Sequence, residues 1–136
     1  MIDAPLAAVW TAISQFGAAA PYLVGVVDCT MEGDGIGARR TLKNVDNSTI
    51  VECLVALDEV NHQLSYVLLT DTPFRNCLTT LSVSGVGQGQ AEVTWWMTFE
   101  VDGLPINEAI ALLEGASEEN CLALKQFMET SQKSPI

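Results

Sequence analysis

Polar and apolar positions along this chain change period twice. Between Asp3 and Phe16, the residues Leu6, Val9, Trp10, Ile13 and Phe16 recur every three or four positions, the spacing of one helix face. Asp3 reads as an N-cap, Pro5 as a first-turn residue and Gly17 as the stop. The pattern therefore predicts a short amphipathic helix over 3–16, with a further helical turn over 18–22. From Val24 to Val101 the period drops to two, and turn residues punctuate it. A hairpin bending at Gly33-Asp34-Gly35 is followed by the polar turn NVDNST. The strands TIVECLVALDE and HQLSYVLLT come next, joined by a tight turn at 59–62. NCLTTLSVS and QAEVTWWMTFEV form a last hairpin around Gly85, Gly87 and Gly89.

The last strand has the clearest register. Ala91, Val93, Trp95, Met97, Phe99 and Val101 are apolar, and Glu92, Thr94, Thr98 and Glu100 between them are polar, with Trp96 the exception. One face is buried and the other solvated, as in an antiparallel sheet. After Leu104 and Pro105 the helical period returns. Ile106, Ile110, Leu113, Cys121, Leu124 and Met128 form its apolar stripe, opposite a row of glutamates, and the tail SQKSPI ends it at Pro135. About six antiparallel strands framed by a short and a long helix make an α+β fold, expected as a single domain over residues 1–136.

Composition narrows the function classes. Of the 136 residues, 49% are hydrophobic and 17% charged, enough apolar surface for a core and against a disordered polyelectrolyte. A net charge of -11 argues against nucleic acid or an anionic membrane surface as partner, since both need a basic face. No apolar run approaches the roughly 20 residues of a membrane span, and no basic segment leads an apolar one as in a signal peptide. Cys29, Cys53, Cys77 and Cys121 sit in apolar segments without CxxC spacing. They are expected as free, buried thiols in a protein of the reducing cytoplasm. A homodimer stays open.

Several chemistries lack their residues. Gly33-Asp34-Gly35-Ile36-Gly37-Ala38 fits the dinucleotide pattern GxGxx(G/A), but Arg39-Arg40-Thr41-Leu42 after it reads as a strand, where pyrophosphate binding needs a helix N-terminus. With His62 the only histidine, and in a polar turn, neither a nucleophile–histidine pair nor a metal site is expected. No cofactor is expected. Glu52 stands out, a carboxylate within the apolar run Ile50, Val51, Cys53, Leu54, Val55; it is paired, faces a polar cavity, or is turned to solvent by strand parity. Asn120 poses the same question on the long helix.

Local patterns in order along the chain resemble the START-like helix-grip (SRPBCC) superfamily, in its polyketide cyclase/dehydrase-like branch. They are Ile2-Asp3-Ala4-Pro5 with Val9-Trp10, Gly35 to Arg39, and Glu52-Cys53-Leu54 through Leu57-Asp58-Glu59. Leu64-Ser65-Tyr66, Pro73 with Asn76, Val93-Thr94-Trp95 with Phe99, and Leu122 to Lys125 complete the set. The resemblance implies a curved antiparallel sheet gripping the C-terminal helix around a large apolar cavity, with loops 44–49 and 70–75 over its mouth. Glu52 would be a polar cavity group, Asn120 a cavity residue on the helix beside Ala116 and Leu112, and Cys77, Thr79 and Trp95 cavity-facing sheet positions. The expected ligand-binding set is Glu52, Leu54, Val67, Leu69, Cys77, Thr79, Trp95, Met97, Leu112, Leu113, Ala116 and Asn120. Two departures matter: only Met1 and Ile2 stand where the family's first strand runs, and NVDNST and TDTPFR lack the gate and latch motifs of the plant-hormone receptors. The expected function is binding of a small hydrophobic molecule (lipid, polyketide or isoprenoid-like) as carrier or sensor. The alternative is a cyclase or dehydratase with Glu52 as general acid or base.

Overall fold

The computed structural model describes residues 1–132, with side chains to residue 130; the predicted stop at Pro135 lies outside the described residues. The order is α1 (Leu6–Ser14), two single 3-10 turns (Phe16–Ala18 and Ala20–Tyr22), β1 (Val26–Glu32), β2 (Arg39–Asn44), β3 (Thr49–Asp58), β4 (Gln63–Leu68), β5 (Phe74–Val86), β6 (Gln90–Val101) and α2 (Ile106–Gln132). The six strands form one antiparallel meander in sequence order. This is the helix-grip architecture, a curved sheet with the long C-terminal helix on its concave side.

α1 starts later than its pattern suggested. Pro5 holds the N-cap position in an extended conformation, and no side chain caps the helix. Asp3 serves tertiary structure instead: its Oδ1 accepts from Gln90 Nε2 at 2.6 Å, and its backbone N–H donates to Glu129 at 3.0 Å. Ile2 forms a two-bond bridge with Ala91, so the chain start is tied to β6 and α2 together. Gly17 is not the helix stop, because α1 ends at Ser14. It permits a close approach, since a Cβ there would lie 2.9 Å from that of Met31 on β1.

The bend after β1 is longer than Gly33-Asp34-Gly35. It runs to Gly37, and the left-handed conformation of Gly33, Gly35 and Gly37 lets it fold back so that Gly37 N–H donates to Leu54 at 2.7 Å. Along β6 burial alternates at every residue as the pattern requires, and Trp96 falls on the 41% exposed side. A bulge between Leu54 and Ala56 reverses the parity of β3, which brings Leu57 to the core.

The core lies between sheet and helices at one end. Val9, Trp10, Ile13 and Phe16 pack against Leu54, Leu64, Tyr66, Leu81 and Val83, and Leu124 and Met128 close it from α2. The other half of α2 stands away from the sheet. Ile106 and Ile110, expected in the buried stripe, are 54% and 40% exposed, while Ala109, Leu124 and Met128 are buried. The thiols follow suit. All four are free, but only Cys77 is buried; Cys29, Cys53 and Cys121 are half-buried, contrary to the expected burial. Cys29 lies on the edge strand β1, and Cys53 points to the sheet face opposite Glu52. Among the described residues no helix is long and apolar enough to cross a membrane.

The two halves of α2 make different demands on stability. Leu124→Ala, at a fully buried position, should destabilise the fold by about 2–5 kcal/mol in urea unfolding. Leu112→Ala, on the outward side, should change stability by no more than about 0.5 kcal/mol.

Candidate functional site

A cavity of about 290 Å³ lies where α2 stands off the concave sheet. Strand alternation decides what faces it. Leu42 comes from β2, Ile50 and Glu52 from β3, Tyr66 and Leu68 from β4, Cys77 and Thr79 from β5, and Trp95 and Met97 from β6. From α2 come Leu113, Ala116, Ser117 and Asn120, none larger than leucine. Leu23, Val24 and Val26 border the cavity on one side, and Asn44 and Phe74, from the loop regions expected over the mouth, lie at its rim. A groove of about 850 Å³ between β6 and the first half of α2 shares Trp95, Met97, Leu113 and Ser117 with it, so cavity and groove adjoin.

Of the expected set, Glu52, Cys77, Thr79, Trp95, Met97, Leu113, Ala116 and Asn120 border the cavity. Four residues do not. Val67 sits opposite Cys53 in the ladder, and Leu68 opposite Glu52, so parity turns Val67 and Leu69 to the other face. Leu54 belongs to the core packed beneath α1. Leu112 is 58% exposed, one residue round the helix from the inward Leu113. Tyr66, Leu68, Ile50 and Leu42 were missed, although the same alternation carries them inward with Glu52.

Glu52 is not a lone carboxylate. Directly across the β2–β3 ladder stands Arg40, only 3% exposed, and both its Nε (2.9 Å) and its Nη2 (2.8 Å) donate to Glu52 Oε1. Arg40 Nη1 donates to the Phe16 carbonyl at 3.1 Å, and the guanidinium lies 4.1 Å and 4.6 Å from the ring centres of Phe16 and Tyr66. The cation is thus held by two acceptors and two aromatic rings. Sequence reading treated residues 39–42 only as a strand, yet Arg40 shares the parity of the buried Ala38 and Leu42, between exposed Arg39 and Lys43. That was the available signal.

The electrostatics follow from this enclosure. Burial pushes the Glu52 carboxyl upward against the pull of Arg40. Burial opposes the Arg40 charge, yet its pKa is raised, with the Glu52 carboxylate as the largest raising cause. Burial also pushes both phenols up, so they stay protonated. The Cys77 thiol rises for the same reason. Asn120 has a structural duty, its Oδ1 accepting from the Val24 N–H at 2.8 Å and tying the segment before β1 to α2. Among the described residues no three His, Cys, Asp or Glu side chains gather in a way that could hold a metal ion.

A curved sheet gripping a helix around a largely apolar cavity defines a helix-grip protein of the START-like (SRPBCC) superfamily. The profile described as polyketide cyclase / dehydrase and lipid transport matches residues 1–129, and the chain belongs to that family. Among solved structures, XoxI of Bacillus cereus is 25% identical, with a TM-score of 0.86 over 96% of this chain and 92% of that one. The di-domain ARO/CYC BexL from the BE-7585A biosynthetic pathway has a TM-score of 0.85 at 17% identity, over 98% of this chain and 45% of that one. Ara h 8.0201 has a TM-score of 0.75 at 16% identity, over 95% and 92%. The last two show the likeness of fold alone. Among curated proteins none matches the chain in sequence.

Two measurements test this geometry. Arg40→Met should cost about 3–5 kcal/mol of stability, because it strands a buried carboxylate, whereas Arg40→Met with Glu52→Leu should recover most of the loss. Equal losses in the single and double variants, by urea unfolding, would contradict the pairing. When a non-absorbing apolar ligand is titrated in, the blue shift of tryptophan emission should be lost in Trp95→Phe and retained in Trp96→Phe.

Proposed function

We propose that this protein is one ligand-binding domain that takes a small apolar molecule into the cavity between the sheet and α2, as a carrier or sensor. The observation that carries the reading is the cavity itself. About 290 Å³ of space is walled mostly by apolar side chains, with a few polar atoms at fixed places. Transfer of a ligand from water into it gains about 25 cal/mol for each Å² of apolar surface removed. The adjoining groove offers a route in without unfolding the core. Free thiols agree with the cytoplasm as its location. Membership of a family described by both cyclase/dehydrase activity and lipid transport supports the ligand class, a lipid, polyketide or isoprenoid-like molecule.

Within this reading Glu52 anchors rather than catalyses. Its hydrogen-bonding neighbour is a guanidinium, which neither gives up nor takes a proton near neutral pH. Paired acid–base chemistry would need a second titratable group beside Glu52, and the group within hydrogen-bond reach, Arg40, does not titrate near neutral pH.

The experiment is to fill the cavity. Ala116 borders the space yet is not part of the packed core, so Ala116→Trp should leave the unfolding curve nearly unchanged. It should abolish binding of an apolar fluorescent dye and of any lipid co-purified and detected by native mass spectrometry. Undiminished dye binding in Ala116→Trp would place the ligand elsewhere.

A further inference from the structure

We propose that Arg40 sets the ligand specificity of the cavity: by holding Glu52 Oε1 and balancing its charge, it leaves Oε2 as an acceptor for a neutral hydroxyl, so the site selects hydroxylated apolar molecules over amines and carboxylates of the same shape. The inference rests on the binding reading above and names the ligand class within it.

Both donors that Arg40 gives to Glu52 fall on the same oxygen, Oε1. Oε2 has no hydrogen-bond partner among the described residues, and a carboxylate oxygen has lone pairs to offer. The two partners differ in access. The Arg40 side chain is 4% exposed and does not border the cavity, whereas the Glu52 side chain is 14% exposed and does. A ligand therefore meets the carboxylate, with the cation fixed behind it.

Charge balance then decides which polar group fits. A lone buried carboxylate would favour an ammonium ligand, because each would compensate the other's lost hydration. Here the compensation is already supplied from within the fold. An ammonium entering beside Oε2 would give the site a second cation for one anion. A carboxylate would give it a second anion while facing Glu52 first. The Tyr22 and Tyr66 phenols add no charge, since burial keeps them protonated. A neutral O–H donates to Oε2 and carries no net charge into the cavity. Because the acceptor is charged, that hydrogen bond is stronger than one between neutral groups.

The test is a matched series read by displacement of an apolar dye at pH 8: naphthylethanol, naphthylethylamine, naphthylacetate and ethylnaphthalene. Naphthylethanol should bind tightest, with the ammonium and the carboxylate weaker by about tenfold or more. Glu52→Gln leaves Arg40 uncompensated and should move the preference to naphthylacetate. Arg40→Gln leaves Glu52 uncompensated and should move it to naphthylethylamine. If either variant does not fold, as a thermal melt by circular dichroism would reveal, the unsubstituted protein decides alone. There, an ammonium or a carboxylate binding as tightly as the alcohol overturns the proposal while leaving the binding cavity standing. If the dye binds and all four compounds displace it equally, the specificity is likewise refuted. If neither the dye nor any of the four binds, it is the binding reading itself that fails.

Discussion

A guanidinium with almost no access to water sits at the centre of this fold, and four elements are arranged to keep it there. β2 carries Arg40, β3 supplies the Glu52 carboxylate, the turn after α1 supplies the Phe16 carbonyl and ring, and β4 supplies the Tyr66 ring. Removing a cation from water is so costly that it is tolerated only where charge, hydrogen bonds and polarisable surface replace the hydration together. Arg40 meets that condition on each count. A one-residue slip between β2 and β3 would turn Arg40 or Glu52 to the wrong face and leave the other unpaired, so the pair also fixes the register of the sheet.

The hollow beside this pair follows from what α2 lacks. Its C-terminal half brings Leu124 and Met128 down onto the core and is packed tightly. Further toward the N-terminus the positions turned to the sheet are Ala109, Ala116, Ser117 and Asn120, with Leu113 the one large side chain among them. Small residues opposite a concave sheet leave space that neighbouring side chains do not reach. One helix therefore does two jobs, closing the core with one half and roofing a cavity with the other. The same division explains why Ile110 sits exposed despite its helical spacing: it faces β6 across an open groove and does not pack against it.

Much of this was legible in residue order. The change of period along the chain gave the six strands and the two helices, because a strand with one buried face and a helix with one buried stripe must alternate at their own periods. The alternation along β6 separated Trp95 from Trp96 correctly. Glu52 stood out because a carboxylate in an apolar run is expensive wherever it faces inward. The Arg40 partnership was legible too, though it went unread. A turn with Asn44 bonded to Ser48 at its base places residue 40 opposite residue 52, and both have inward parity.

Sequence by itself determined which residues share a strand face or a helix stripe, since backbone geometry sets those periods locally. It did not determine where the faces would find something to pack against. The bulge in β3 that reverses parity beyond Leu54 and the exposure of Leu112 depend on how strands and helix meet. Asp3 shows the same limit at a single residue. Its local chemistry suits a helix cap, but Gln90 and the α2 glutamate, 87 and 126 residues away in sequence, recruit it for tertiary bonds instead. The cavity is the largest case. No residue encodes an empty space, and it exists only because a curved sheet and a helix with small side chains come together at a distance that neither specifies alone.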